Sequence, residues 1–229
     1  MRYVISDVHG EYELFVKLLE EIGFSPSDEL FICGDIIDKG HSSVRLLRLI
    51  ASMRENVHAI LGNHELEFLK YYRALAEECS GNFDELLQRL SAYFPEDGHL
   101  LDWETVDYLD ALPAYIEQED FICVHAGVPL DIDGRISPLR NAPEELLVND
   151  RKFKDPALIH RDPRCVFFGH TQTDAIAKEA RILGYRRRRD GAVRSLSDIY
   201  KVHLDCGSWS NGILACFCID TLEAIYIKK

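Results

Sequence analysis

The chain has 229 residues, 47% of them hydrophobic and 28% charged, which is enough to bury the core of one domain. Its 39 acidic and 26 basic residues give a net charge of −13, which argues against binding to a nucleic-acid polymer. The sequence shows neither the basic segment and apolar run of a secretory signal nor a stretch of about 18 apolar residues. We therefore expect a soluble, cytoplasmic protein that does not enter a membrane.

The first sixty residues alternate short apolar runs with amphipathic patterns, as α/β chains do. A serine cap is expected at the start of the second helix. The predicted strands cover 2–6, 29–35 and 56–64, the last running into a turn, and the predicted helices cover 11–23 and 42–54.

The region from Leu66 to about Leu112 has a mostly helical pattern, with a turn predicted at 95–98. Short strands follow in the second half, at AYIE, FICVHAG, CVFFGH, YKVHLD, ILACFCID and TLEAIYI. The basic run Arg186–Arg189, followed by Asp190 and Gly191, is predicted to cap a hairpin or loop, and the alternative is that it collects acidic substrates over the site. Because no linker separates the halves, we predict a single domain over 1–229 with a helical insertion at about 66–112.

The seven cysteines form an odd set without a CxxC pair, and several lie in apolar runs. This pattern predicts reduced core residues. Cys216 and Cys218 share one face of a predicted strand and could bind a metal, but buried packing is the preferred interpretation.

Five short segments place Asp, Asn or His directly after an apolar run. Their glycines let the chain turn sharply and let the backbone approach a bound group closely. Carboxylate, amide and imidazole donors suit Mn, Fe or Zn. The segments are SDVHG (6–10), GDIIDKG (34–40), GNHE (62–65), VHAG (124–127) and FGHT (168–171).

The ordered set resembles the calcineurin-like (PPP-type) binuclear metallophosphoesterases, in particular the serine/threonine phosphoprotein phosphatases and their bacterial and phage relatives. The resemblance covers nearly the whole chain and implies an α/β fold, a four-layer α/β/β/α sandwich with two mixed β-sheets. It also implies two divalent metal ions, Mn in the first place, with Fe or Zn as alternatives. The implied ligands are Asp7 and His9 at the first metal, Asp35 between both metals, and Asn63, His125 and His170 at the second.

The resemblance further implies that a metal-bound hydroxide attacks phosphorus, with His64 as general acid and Asp38 orienting its imidazole. Asp38 could instead cap the helix that begins near Ser42. Glu65 is expected only to favour the start of its helix through the helix dipole. Asp205, in a segment similar to the IDTG turn of bacterial relatives, is a candidate for supporting the ligands.

The family's phosphate-binding arginine in GDxxDRG is replaced here by Lys39, which offers a point charge rather than a two-pronged fork. A second phosphate-binding position falls on Arg151, or on Asp150 with a one-residue gap. Arg161 and Arg164 compete for this role, and surface charge is the alternative for all three arginines.

The leading prediction is a serine/threonine phosphoprotein phosphatase acting on a phosphoprotein or a small phosphoester. The alternative is a symmetrical diadenosine tetraphosphate hydrolase. Those hydrolases typically read GDxxARG and GNHD, whereas this chain has Asp38 and Glu65. A second alternative is a phosphate-binding regulatory module with weak catalysis, against which the intact ligand set argues.

Overall fold

A computed structural model describes residues 1–94, 98–188 and 192–229. The turn predicted at 95–98 and the loop predicted over 186–191 therefore lie partly outside the described residues. None of the described helices combines the length and apolar character that crossing a bilayer requires.

Ten strands and seven α-helices make up the described part of the chain. In chain order they are β1 (Arg2–Ile5), α1 (Tyr12–Glu21), β2 (Glu29–Ile32), α2 (Ser43–Ser52), β3 (Val57–Ala59), α3 (Asn63–Glu78), α4 (Phe83–Ser91), α5 (Trp103–Asp110), β4 (Tyr115–Glu117), β5 (Phe121–Val124), α6 (Glu144–Asn149), β6 (Cys165–Phe168), α7 (Asp174–Ala177), β7 (Leu183–Arg186), β8 (Ile199–His203), β9 (Ile213–Cys218) and β10 (Glu223–Lys228).

The strands form two mixed five-stranded sheets. The first has the order β10-β9-β1-β2-β3, in which β1, β2 and β3 are parallel and β9 and β10 are antiparallel additions. The second has the order β4-β5-β6-β8-β7, with parallel β5, β6 and β8 between antiparallel edges. Parallel strands end at the same edge of a sheet, so the loops that follow them are neighbours.

The two sheets pack face to face through a buried aromatic layer. Phe31 of the first sheet lies 5.0 Å from Phe121 of the second, measured between ring centroids, and Phe167 lies 5.6 Å from Phe217. Side chains alternate along β1, so Val4 lies in this layer while Tyr3 and Ile5 pack on the opposite face, against the helices.

A third buried cluster lies on the outer face of the second sheet, beneath α6. Helices, two sheets and this outer layer form the predicted four-layer α/β sandwich, and the fold prediction is confirmed. All seven cysteines are buried and free, and Cys216 and Cys218 belong to the core beside the first sheet.

Two details differ from the sequence pattern. The strand β7 was not predicted because it is a half-exposed edge strand that contains Gly184 and so lacks an apolar signature. Ser42 stands at the N-cap of α2, but the hydroxyl that contacts the second motif loop belongs to Ser43, which accepts a hydrogen bond from the Asp38 N–H at 3.0 Å.

Candidate metal centre

Each of the five motif loops leaves the C-terminal end of a parallel strand. Three follow β1, β2 and β3 of the first sheet, and two follow β5 and β6 of the second. Because the sheets face each other, all five loops meet at one edge of the sandwich. The structure thus brings together the side chains predicted as ligands, which are Asp7, His9, Asp35, Asn63, His125 and His170.

Asp35 occupies the centre of this group. Its Oδ2 atom lies 3.5 Å from His9 Nε2 and 3.9 Å from His64 Nε2, and its Oδ1 atom lies 3.4 Å from His125 Nε2. Two clusters of donor atoms, each within 4.8 Å, share this carboxylate: one adds His9 and His64, the other His125 and His170. One carboxylate common to two donor clusters is the arrangement that a pair of cations requires.

Asn63 completes the second cluster. Its Oδ1 atom lies 3.0 Å from His125 Nε2 and 2.9 Å from His170 Nδ1. On the other side, Asp7 Oδ1 lies 3.9 Å from His9 Nε2. The backbone N–H of His170 donates to the carboxylate of Asp7 at 3.0 Å, so the first and last motif loops are joined directly.

The electrostatics of the centre fit divalent cations. Asp7, Asp35 and Asp205 are all at least 95% buried, and buried charges in proteins are paired or bind metals. Burial and the Asp35 carboxylate raise the pKa of Asp7. Burial also acts to raise the pKa of Asp35, but the neighbouring imidazoles, above all His125, outweigh it and lower that pKa. In addition, His170 Nε2 is buried without a hydrogen-bond partner among the described residues.

Backbone carbonyls orient two of the imidazoles. The Nδ1 atom of His9 lies 3.0 Å from the carbonyl of Ile37, and that of His125 lies 2.8 Å from the carbonyl of Cys33. A carbonyl can only accept, so both Nδ1 atoms carry the proton. Each ring therefore directs Nε2 at the centre. In metal-binding histidines, a hydrogen bond from the other ring nitrogen orients the imidazole in the same way.

Glu65 has a larger structural role than the sequence analysis predicted. Its side chain is fully buried and its carboxylate accepts four backbone hydrogen bonds, from Asp35, Ile36 and Gly62 at 2.8 Å and from Ile37 at 3.0 Å. Burial and the Asp35 carboxylate raise the pKa of Glu65 to about 7, while the four N–H donors favour its charged form. The expectation of a helix-dipole role alone was wrong. A glutamate three residues after the helix N-cap is a capping-box signal that could have revealed this contact.

Backbone conformation in the motif loops is unusual. Six residues of these loops other than glycine have φ between 51° and 69°, a region that costs about 1–2 kcal/mol per residue. Hydrogen bonds join the first two loops, among them Gly10 N–H to the Ile36 carbonyl at 2.7 Å, and His170 is held by its own N–H bond to Asp7. Strain of this kind is concentrated at functional sites. The six residues are Asp7, His9, Asp35, Asp38, Lys39 and His170.

Two glycines are required for the loops to approach one another. A β-carbon on Gly62 would collide with the Asp35 carboxylate, and one on Gly169 would collide with Asp7 and Ser6. The hydroxyl of Ser6 is itself in very close contact with the Asp7 carboxylate. These glycines therefore allow backbone to lie against the two central carboxylates.

The pair predicted for acid catalysis is formed. His64 Nδ1 lies 2.7 Å from Asp38 Oδ2, and the hydroxyl of Tyr93 donates to the same oxygen at 3.4 Å. Burial acts to lower the pKa of His64, but the hydrogen bond to Asp38 and the charge of Asp35 outweigh it and raise that pKa. Tyr93 follows α4, so the helical segment after the third motif reaches the site, a contact that no local sequence signal indicated.

The basic residues predicted to bind phosphate lie in different surroundings. Lys39 Nζ is 2.9 Å from His9 Nε2, at the centre itself. Burial, followed by the charges of His125 and Arg151, lowers the pKa of His170 to about 4, and the side chain of Arg151 is exposed. Arg164 instead pairs with Asp162 at 2.9 Å, and its guanidinium also reaches Glu117.

Curated relatives of this chain include two bacterial proteins named symmetrical bis(5'-nucleosyl)-tetraphosphatase. The protein from Vibrio campbellii is 32% identical over 134 residues, which are 57% of this chain and 47% of the relative. The protein from Xanthomonas campestris pv. campestris is 35% identical over 128 residues, which are 55% of this chain and 38% of the relative. This chain therefore spans less than half the length of these relatives.

Solved structures share the fold. One that is provisionally named a diadenosine tetraphosphatase has a TM-score of 0.68 at 19% identity, covering 99% of this chain and 92% of its own. A metallophosphoesterase from Sphaerobacter thermophilus has a TM-score of 0.55 at 20% identity, covering 100% of this chain and 87% of its own. The family described as calcineurin-like phosphoesterase matches residues 2–195, which is most of the sequence. The chain belongs to the calcineurin-like phosphoesterase family.

Proposed function

We propose that the chain is a metal-dependent hydrolase that cleaves the phosphoanhydride chain of dinucleoside polyphosphates. The observation that carries the substrate class is the name shared by the curated relatives, at 32–35% identity. These relatives favour the dinucleotide alternative over the phosphoprotein phosphatase that the sequence motifs alone suggested.

In this proposal, the residues around Asp35 hold two divalent cations. Bound there, the cations would polarise phosphoryl oxygens and lower the pKa of a water molecule. Asp35 is the shared ligand because it is the carboxylate common to both donor clusters. The first cluster also contains His64, which is kept here as the acid, and Asp7, with Oδ1 3.9 Å from His9 Nε2, takes its place as ligand. The remaining proposed ligands are Asp7 and His9 on one side and Asn63, His125 and His170 on the other.

His64 supplies the proton for the leaving group. Its Nδ1 atom is held by Asp38, so Nε2 points towards Asp35 and the reacting centre. A raised pKa keeps a larger share of the imidazole protonated near neutral pH, which a general acid needs. Lys39 and Arg151 are proposed to bind phosphate oxygens: Lys39 lies beside His9, and Arg151 carries a charge that acts on the pKa of His170.

A groove next to Arg151 supports an extended anionic substrate. It has a cavity volume of about 720 Å³, and three cationic residues including Arg151 outnumber the one acidic residue, Asp155, in its lining, which also has the apolar side chains of Leu158 and Ile176. Cationic and apolar groups in one groove suit a nucleotide, which has phosphates at one end and an apolar base at the other.

A second candidate function is hydrolysis of phosphomonoesters, including phosphoproteins. The observation that favours it is the distance of 2.7 Å between Asp38 and His64. An alkoxide is a much stronger base than a departing nucleotide phosphate and therefore gains more from a general acid. The contact between Asp38 and His64 therefore supports phosphomonoester hydrolysis as the second candidate function.

The test is a paired assay of the manganese-loaded chain on diadenosine tetraphosphate and on a phosphothreonine peptide, with His64→Asn as the control. A kcat/KM at least about tenfold higher for the dinucleotide, equal to about 1.4 kcal/mol, is expected. The reverse ratio would favour the phosphomonoesterase. Metal binding without turnover of either substrate would favour a phosphate-binding regulatory module.

A further inference from the structure

Trp209 is an exposed aromatic residue that directly follows Ser208, a residue in contact with the first motif loop. Its indole is 48% exposed, although tryptophan is among the side chains that gain most from burial. It lies in the connection between β8 and β9, within the polar sequence Ser208-Trp209-Ser210. An exposed indole between serines is poorly explained by packing of the protein interior.

The segment that carries Trp209 is fixed on both sides to motif loops. The hydroxyl of Ser208 donates to the backbone carbonyls of Asp7 and Val8, in the first motif loop. On the other side, Gln172 Nε2 donates to Ser210 Oγ at 2.6 Å.

A further bond joins Asn211 Nδ2 to Asp174 Oδ2 at 3.0 Å, so α7 is also tied to this segment. Gln172 and Asp174 directly follow the last motif loop, which contains His170. The segment that carries Trp209 is therefore fixed between the loops that carry Asp7 and His170, and Trp209 itself stays exposed.

We propose that Trp209 is a stacking platform for a nucleobase of the substrate. This inference rests on the proposed function and extends it by naming the residue that binds the base. A purine is flat and uncharged at neutral pH, so it can stack on an indole while its phosphates lie at the centre. Stacking of this kind tolerates different bases, because every base presents a π-face.

The first experiment follows the fluorescence of Trp209 itself. The chain has two tryptophans, so Trp103→Phe leaves Trp209 as the single indole. In the manganese-loaded Trp103→Phe protein, ADP is expected to quench this fluorescence saturably, whereas inorganic pyrophosphate is not. Equal responses to ADP and pyrophosphate, or no response to ADP, would overturn the proposal.

The second experiment measures specificity. Trp209→Ala is expected to lower kcat/KM for diadenosine tetraphosphate by about 5- to 150-fold, the range for losing one stacked base, and to leave phosphoserine hydrolysis unchanged. Trp209→Phe should restore most of the loss. The control is Phe83→Ala, which removes an exposed aromatic ring on α4. Equal losses on both substrates would indicate a structural role and overturn the inference.

The two proposals can fail separately. If ADP quenches Trp209 but the chain does not hydrolyse diadenosine tetraphosphate, the stacking platform is supported and the proposed substrate class is refuted. If the chain hydrolyses diadenosine tetraphosphate and Trp209→Ala does so equally well, the substrate class is supported and the platform is overturned.

Discussion

Replacing Glu65 by glutamine tests how the second and third motif loops are held together. The carboxylate is fully buried and accepts four backbone N–H groups, two on each oxygen. Glutamine retains one acceptor oxygen and places an NH₂ donor against two N–H donors. Each buried N–H left without an acceptor costs about 1–3 kcal/mol, so Glu65→Gln is expected to lose about 2–6 kcal/mol of unfolding free energy.

Urea and thermal unfolding measure this loss directly. For a chain of this size, about 2–4 °C is lost per kcal/mol, which predicts a fall in Tm of about 4–24 °C. Glu67→Gln is the matched control, because Glu67 lies on the same helix and is exposed. If the two variants unfold at the same urea concentration, the assignment of Glu65 as the connection between the loops is refuted.

Three further predictions concern the Asp38–His64 pair, stability at acidic pH and phosphate binding by Lys39. Asp38→Ala leaves His64 without its orienting partner and should lower kcat for an alkyl phosphate by about 100-fold. The loss should be smaller for a dinucleoside polyphosphate, whose leaving group depends less on a general acid. Equal losses of kcat on the two substrates in steady-state assays would contradict this. Burial lowers the pKa of His160 to about 4, against about 6.5 when unfolded, so its contribution to stability is lost as the pH falls from about 6.5 to 4. Urea titrations between pH 6.5 and 4 give the unfolding free energy as a function of pH. Its slope should be smaller for His160→Phe than for the unchanged chain, by up to about 1.4 kcal/mol per pH unit. Identical slopes for the two proteins would contradict this prediction. Lys39→Arg should lower KM for a phosphoester by about fivefold, the effect of about 1 kcal/mol from a two-pronged contact, whereas an unchanged or raised KM would place Lys39 away from the substrate.

Much of the fold follows from local pattern. Alternating strand and helix signals in the first sixty residues predict β1, α1, β2, α2 and β3, and parallel strands bring their following loops to one edge. The convergence of the first three motif loops could therefore be predicted before any distance was known, whereas that of the two loops of the second sheet came only from the family resemblance. The edge strand β7 could not, because half-exposed residues around a glycine give no apolar alternation.

The contacts that fix the site were harder to predict. Glu65 was assigned a weak role because its four partners are backbone groups, and backbone donors leave no trace in side-chain patterns. Tyr93 reaches Asp38 across 55 positions, a pairing that depends on how the helices after β3 pack. Trp209 was not singled out because an isolated aromatic residue in a loop has no periodicity.

Metal stoichiometry tests the central claim most directly, since the account makes Asp35 common to two cation sites. Isothermal titration with manganese should give two equivalents for the chain as it stands and for His58→Ala, a control histidine outside the motifs. His170→Ala should retain one equivalent, and Asp35→Asn should lose tight binding at both sites. If Asp35→Asn binds two equivalents of manganese as tightly as the unchanged chain does, a binuclear centre built on that carboxylate is contradicted.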